Sequence, residues 1–298
     1  MTNELKNQIK EALQKELEGG KTSQNKLAVK CDVSSGMLSH IANDAWENIG
    51  EKTWLKLAAY FKIADRWAIH KTNNFNTIQN LCADTQEVKR MVAVSAFSGA
   101  GKTAALQYFA AKNKNVIYVM CNFFMSKKSL LNAILKQAGL LPCGNAPEAL
   151  QLLKEFILEN QDVLIILDDC GKLNDGCFRT IQLIYDETEF SCGMVLSGTE
   201  FLKKHFEKMV AKDKMGFREL YRRIGYWQGL KEPNADIINQ ILEFNGISAD
   251  KQLLAAICTK AKNYGALRAI ITNAKKLKEP LDTTNLSHMA IGSYEYTA

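Results

Sequence analysis

The chain has 298 residues, room for one mid-sized domain with an appendage, because domains usually run about 100–200 residues. With 47% hydrophobic and 23% charged residues it can bury a core, which excludes a disordered or fibrous protein. A formal charge of +6 permits attraction to a polyanion without requiring it, and eight cysteines without a C-x-x-C pair argue for small hydrophobes and against a metal site.

The first residues are polar and amphipathic, and no run approaches the ~20 apolar residues of a membrane span, so a cytoplasmic protein with no membrane partner is expected. Leu5, Ile9, Leu13 and Leu17 recur at the spacing of one helix face, and Gly19-Gly20 predicts its end. Thr22 or Ser23 can cap a second helix through Lys30, and Ser34 or Ser35 a third through about Ala42. A fourth, over 53–61, carries Trp54, Leu57, Ala58 and Phe61 on one stripe. The second and third have helix-turn-helix spacing: Ala28 is small where two helices cross, Val33, Leu38 and Ile41 supply a core, and Asp32 tolerates a left-handed turn. On that reading Ser35, Ser39 and His40 face a DNA major groove and Gln24 lies near a phosphate. These side chains are short, and the surface adds only Lys21, Lys26 and Lys30, which predicts weak duplex affinity for this unit alone or a purely protein-docking role. Residues 1–65 are therefore expected to form a helix-turn-helix domain, and 66–88, with one irregular helix around 77–83, a linker.

From residue 89 short β-rich runs alternate with helical ones, the pattern of an α/β fold with a parallel sheet covered by helices on both faces. Strands are predicted at 91–95, 116–121, 163–167 and 193–197, and helices at about 102–112, 128–139, 147–159 and 174–186. After Glu232-Pro233 only helices are expected, at 234–245, 249–263 and 265–278. The α/β domain thus spans 89–232 and a helical lid 233–298.

Ala96-Phe-Ser-Gly-Ala-Gly-Lys-Thr103 matches the phosphate-binding pattern G-x-x-x-x-G-K-[ST] everywhere but the first position, and lies between an apolar strand and a helix. Backbone N–H groups of Ser98, Gly99, Ala100 and Gly101 are then aimed at phosphate oxygens, with Ala96 tolerated if its φ is negative. Lys102 is expected on the β- and γ-phosphates of ATP and Thr103 on Mg²⁺. Val163-Leu-Ile-Ile-Leu-Asp-Asp169 reads as a strand buried on both faces, ending in carboxylates where α/β sheets hold ligands. Asp168 is the expected metal partner. Asp169 stands where a water-polarising glutamate is usual, and its shorter side chain predicts slow turnover. Thr199 follows another buried strand and is the candidate γ-phosphate sensor. Among Arg218, Arg222 and Arg223, the last is the candidate finger towards a neighbouring subunit, and Arg268 in Gly265-Ala-Leu-Arg268 is placed to fold onto the phosphates.

In this order, phosphate loop, acidic strand end, sensor strand, arginine-bearing helix and helical lid resemble an AAA+ ATPase. With the N-terminal helices added, residues 22–290 resemble the family of phage Mu transposition protein B and related transposon ATPase subunits. Asp169 and Thr199 depart from the glutamate and asparagine usual there. The resemblance implies ATP-dependent assembly of copies into filaments on duplex DNA with little sequence preference, stimulation of a transposase, and disassembly on hydrolysis. Sequence-tolerant binding requires basic contacts to the backbone, for which Lys127 and Lys128, then Lys203 and Lys204, then Lys212 and Lys214 are the candidates. Two other readings share these parts: a nucleotide-switched transcriptional or signalling regulator whose N-terminal domain reads an operator, and a replication-initiator or helicase-loader ATPase.

Overall fold

The computed structural model describes residues 3–18, 23–47, 49–61, 69–188, 191–277 and 280–289. Gly19, Gly20, Lys21 and Thr22 lie outside the described residues. The chain divides into two compact units, Met1–Ala68 and Ile69–Ala298. No helix among the described residues is long and apolar enough to cross a membrane.

In the first unit the helices are α1 (Asn3–Glu18), α2 (Gln24–Cys31), α3 (Ser35–Ala42) and α4 (Glu51–Tyr60). They close on Ile9, Leu13, Leu27, Leu38, Ile41, Trp54 and Leu57, all buried. Asp32 ends α2 in the left-handed conformation, φ 53°, and Ser34 caps α3 by accepting from the Met37 N–H. Both residues keep a short polar side chain beside the turn, which is why the chain reverses within three residues.

The second unit contains a parallel sheet of β1 (Met91–Ser95), β2 (Val116–Met120), β3 (Val163–Asp168), β4 (Cys192–Gly198) and β5 (Ile224–Gln228), in the order β2-β3-β4-β1-β5. Before the sheet comes α5 (Asn73–Val88); between strands come α6 (Lys102–Lys112), α7 (Lys127–Gln137), α8 (Ala146–Glu159), α9 (Asp175–Glu187), α10 (Glu200–Ala211) and α11 (Phe217–Arg223). The period-2 alternation of a strand sorts β3 between the two faces. Val163, Ile165 and Leu167 join α7 to α11 in one core, while Leu164 and Ile166 join α5 and α6 in the other. Helices α12 (Ala235–Phe244), α13 (Lys251–Lys260), α14 (Tyr264–Ala274) and α15 (Thr283–His288) follow the sheet. Asn234, Asp250 and Asn263 start the first three of these, each accepting a backbone N–H three residues on.

Two expectations fail. Residues 73–88, read as part of a linker with one irregular helix, form a continuous 16-residue helix capped by Thr72, with Phe75, Ile78, Leu81 and Cys82 buried against the sheet. Its Asn-rich first turn hid an apolar stripe that begins only at Phe75. The contact is close: a Cβ on Gly193 of β4 would stand 2.3 Å from the Thr85 carbonyl oxygen. Strand β5 is absent from the sequence reading because it is an edge strand, mostly exposed beyond Ile224, and follows α11 with no turn residue between.

The cysteines mostly fill core. Cys82, Cys121, Cys170, Cys177 and Cys192 are buried, and burial pushes the Cys82 thiol up to about 12, so it stays protonated and inert.

Candidate functional site

Residues 96–101 carry the chain from β1, beside β4 at the middle of the sheet, into α6. Ala96 is buried and keeps a negative φ, so its methyl is accommodated. Gly99 has φ 78°, and a Cβ there would come 2.7 Å from Asn263 Oδ1. The first turn of α14 rests on this loop, since the Tyr264 N–H donates to the Gly99 carbonyl at 3.0 Å. Arg268 lies one turn further along α14 with its side chain exposed.

Lys102 is only 7% exposed, and its Nζ donates to the carbonyls of Ala96 and Phe97 at 2.7 and 2.8 Å. Burial pulls its pKa below the ordinary lysine value, while the charges of Asp168, Asp169 and Glu200 act in the opposite direction. The ammonium is therefore held inside the loop by two neutral acceptors, and an anionic oxygen would be a stronger, charge-assisted partner. Thr103, half-buried, is the next residue of α6.

Asp168 ends β3 fully buried. Its carboxylate accepts from the Tyr118 hydroxyl at 3.0 Å and from the Asp169 N–H at 3.0 Å. Burial, then the charge and hydrogen bond of Asp168, raise the Tyr118 phenol above its ordinary value, so it remains a donor; Gln107 on α6 steadies it at 3.3 Å. Asp169 takes a left-handed φ of 60° and heads a short 3₁₀ turn, Cys170–Lys172, without capping it through its side chain. Its carboxylate pairs with Lys172 at 2.7 Å.

Thr199 caps no N–H of α10 with its side chain, and its carbonyl accepts from Ser95 Oγ at 3.1 Å, tying the ends of β1 and β4 together. Sequence reasoning missed its neighbour Ser197. That hydroxyl is fully buried with no hydrogen-bond partner. It lies one residue beyond the Leu167–Leu196 pair, hence beside Asp168, on the sheet face covered by α6. A lone serine in an otherwise apolar strand was the available signal. An orphaned buried hydroxyl, a buried ammonium on neutral acceptors and a buried carboxylate form a donor set suited to a polyphosphate with its divalent cation.

Asn74 was missed too. Its amide donates to the Lys231 carbonyl at 2.8 Å and the Ala100 carbonyl at 3.4 Å, and its oxygen accepts from the Lys231 N–H at 3.2 Å. It thereby joins α5, the phosphate loop and the chain leaving β5. A cavity of about 270 Å³ opens beside it, lined by Asn73, Thr77, Gln228 and Tyr264 among others.

Arg223 pairs with Asp186 at 2.9 Å and precedes Ile224, which is in register with Met91. It is therefore at the end of the sheet opposite the loop that follows Ser95, and within one chain the structure does not bring it to the phosphate loop. Arg218 pairs with Asp213 at 3.0 Å. Of the basic candidates, Lys127 and Lys128 are exposed at the start of α7, Lys203 pairs with Glu207 at 3.9 Å, Lys204 is exposed, and Lys214 pairs with Asp175 at 3.5 Å. In the helical unit Gln24 donates to the Ser35 carbonyl at 2.7 Å, which makes it a brace between α2 and α3. Ser39 accepts weakly from Asn43 at 3.5 Å, and His40 is exposed.

The loop, the carboxylate two strands away and the strand order together define a P-loop nucleotide-binding domain of the AAA+ class. A family model described as an AAA domain matches residues 85–206. The chain is 22% identical over 270 residues to the Mu-like prophage FluMu DNA transposition protein B of Haemophilus influenzae, covering 87% of this chain and 92% of that protein. It is likewise 22% identical over 273 residues to the ATP-dependent target DNA activator B of Escherichia phage Mu, covering 88% and 85%. The chain thus carries an AAA domain and is similar over most of its length to these two transposition proteins. Among solved structures, the replication initiator DnaA bound to AMPPCP and single-stranded DNA superposes with a TM-score of 0.51 at 17% identity, over 71% of this chain and 62% of that one. NtrX of Brucella abortus gives 0.50 at 15% identity, over 85% and 60%. The chain spans about three fifths of these solved chains, and the likeness is one of fold.

Proposed function

We propose that this chain is an ATP-hydrolysing AAA+ protein that assembles on duplex DNA when ATP is bound and activates a transposase. One observation carries the reading: a phosphate loop, complete but for Ala96 at its first position, occurs with a buried Asp168 in a chain similar over most of its length to a DNA transposition protein and a target DNA activator. In this reading the N–H groups of Ser98, Gly99, Ala100 and Gly101 cradle the phosphates, and Lys102 exchanges two carbonyls for the β- and γ-oxygens. Thr103 and Asp168 hold Mg²⁺, which when bound neutralises charge on the phosphates. The base enters the cavity beside Asn74 and Tyr264, and Arg268 closes on the phosphates from α14.

Asp169 accepts a hydrogen bond from the attacking water once it leaves Lys172, and the bond broken joins the γ-phosphorus to its bridging oxygen, giving ADP and inorganic phosphate. Ser197 on β4 and Thr199 just after it sense the γ-phosphate. Arg223, remote from its own phosphate loop, serves a neighbouring copy, so hydrolysis requires assembly. Residues 233–298 act as the lid and 1–65 as an accessory helix-turn-helix reader, with Ser35, Ser39 and His40 towards DNA. The main duplex contact comes from Lys127, Lys128 and Lys204.

Fluorescence anisotropy of a labelled random-sequence duplex, titrated with ATP–Mg²⁺, ADP–Mg²⁺ or no nucleotide, tests this. Tight, cooperative binding with ATP alone is expected. Asp169→Asn should bind equally well but persist on DNA while wild type releases. Nucleotide-independent binding to one specific sequence would replace this reading with the operator-reading regulator.

A further inference from the structure

The chain leaves β2 through a loop pinned at both ends. Cys121 is buried and its N–H donates to the Asp168 carbonyl at 2.8 Å. Met125 packs on the core, and its carbonyl accepts from Asn174 at 3.0 Å and from the Cys177 thiol at 3.3 Å. Between these anchors Asn122 Oδ1 accepts from the Phe124 N–H at 2.9 Å, a local turn that projects Phe123 and Phe124 outwards. They are 75% and 95% exposed. Rings this exposed on an anchored loop are protrusions, not the walls of a groove, and burial would be strongly favourable for them.

Their neighbours indicate what they would enter. Lys127 and Lys128 follow at once, both exposed, and neither forms a salt bridge among the described residues. No acidic residue occurs from 121 to 131. Lys127 reaches over Gly176 at the start of α9, and the neighbouring carboxylate, Asp175, faces His205 at 3.9 Å and Lys214 at 3.5 Å. An apolar projection rimmed by cations fits a polyanion whose interior is apolar, which is a base-stacked duplex.

We propose that Phe123 and Phe124 form a wedge that enters between stacked base pairs of duplex DNA while Lys127 and Lys128 hold the flanking phosphates. This rests on the duplex-binding reading above. It makes the contact sequence-tolerant, because any base step offers an apolar face, and favours steps that unstack easily.

The test uses the full chain with ATP–Mg²⁺ and a duplex carrying 2-aminopurine, whose fluorescence rises on unstacking, read beside anisotropy. Wild type should raise both signals. Phe123→Ala/Phe124→Ala should lose the 2-aminopurine rise and weaken binding roughly tenfold, with the salt dependence retained. Lys127→Ala/Lys128→Ala should instead lower the slope of log affinity against log salt by about two. Phe123→Trp/Phe124→Trp should restore the rise, and all variants should bind ATP as wild type does. Anisotropy without a 2-aminopurine change in wild type, or wild-type binding by the alanine pair, overturns the wedge and leaves the duplex reading standing. Loss of self-assembly by the alanine pair without DNA would assign the rings to a neighbouring copy and also overturn it. No duplex binding by wild type sinks both readings.

Discussion

The two units treat their polar groups differently. In the helical unit the polar groups around the turn are largely engaged within the fold: Gln24 bonds α3, Ser34 caps it, and Asp32 holds Lys56 at 2.6 Å. In the sheet unit the corresponding groups are buried and poorly matched, with Lys102 on neutral carbonyls and Ser197 on nothing. A polar group that closes a local bond stabilises an element, whereas one desolvated without a full partner gains when a ligand arrives. The sheet unit is thus prepared for a ligand and the helical unit is braced as a scaffold.

The largest expected effect comes from breaking that preparation. Lys102→Ala removes a charge-assisted phosphate contact of about 1.5–3 kcal/mol, so ATP affinity should fall roughly 10–100-fold and ATP-dependent duplex binding should disappear. Titration of a fluorescent ATP analogue measures it; unchanged affinity would mean that Lys102 serves only its own loop. Next, Asn74→Ala leaves the Lys231 N–H and carbonyl without their side-chain partner, at about 1–3 kcal/mol. The melting temperature and ATP affinity should both drop, and saturating ATP should recover part of the stability.

How much of this was legible follows the same division. The phosphate loop and Asp168 could be read because Gly99, Lys102 and the apolar run before Asp168 are local necessities of a phosphate site at a strand end. Asn74 could not be read. Its partners Ala100 and Lys231 are brought to it by the sheet, 26 and 157 residues away in the chain. Strand β5 was hidden because an edge strand need not alternate cleanly, and the α5 stripe because its capped first turn is polar. In the helical unit the spacing revealed the helices, but Gln24, read as a phosphate contact, bonds α3 instead, since only folding shows that the Ser35 carbonyl lies within reach.

Smaller effects sharpen the scaffold side of the comparison. Gln24→Ala should destabilise the helical unit by ~1 kcal/mol, seen as an earlier first unfolding transition, while ATP affinity stays constant. Ser39→Ala/His40→Ala should change random-duplex affinity by only about twofold, as befits short or neutral side chains outside the proposed main contact. A tenfold loss would make the helices the principal DNA reader and reverse the contrast.

The smallest effect concerns His70, which meets Phe244 edge-on at 4.9 Å and so links the segment before α5 to α12. Burial lowers its pKa below the ordinary histidine value. As pH falls, the unfolded chain therefore takes up this proton first, near its ordinary value of about 6.5. The stability contributed by neutral His70 is complete above that pH and is lost as pH falls through the lower folded-state value. Melting scans should show a small decline in the sheet unit below about pH 6.5 that His70→Asn flattens, at the cost of some ring contact. An undiminished decline in that variant would assign the acid sensitivity to other groups. Because His70 and Asn74 join the segment around α5 to Phe244 of α12 and to Lys231, the same scans with ATP bound report whether nucleotide protects that link.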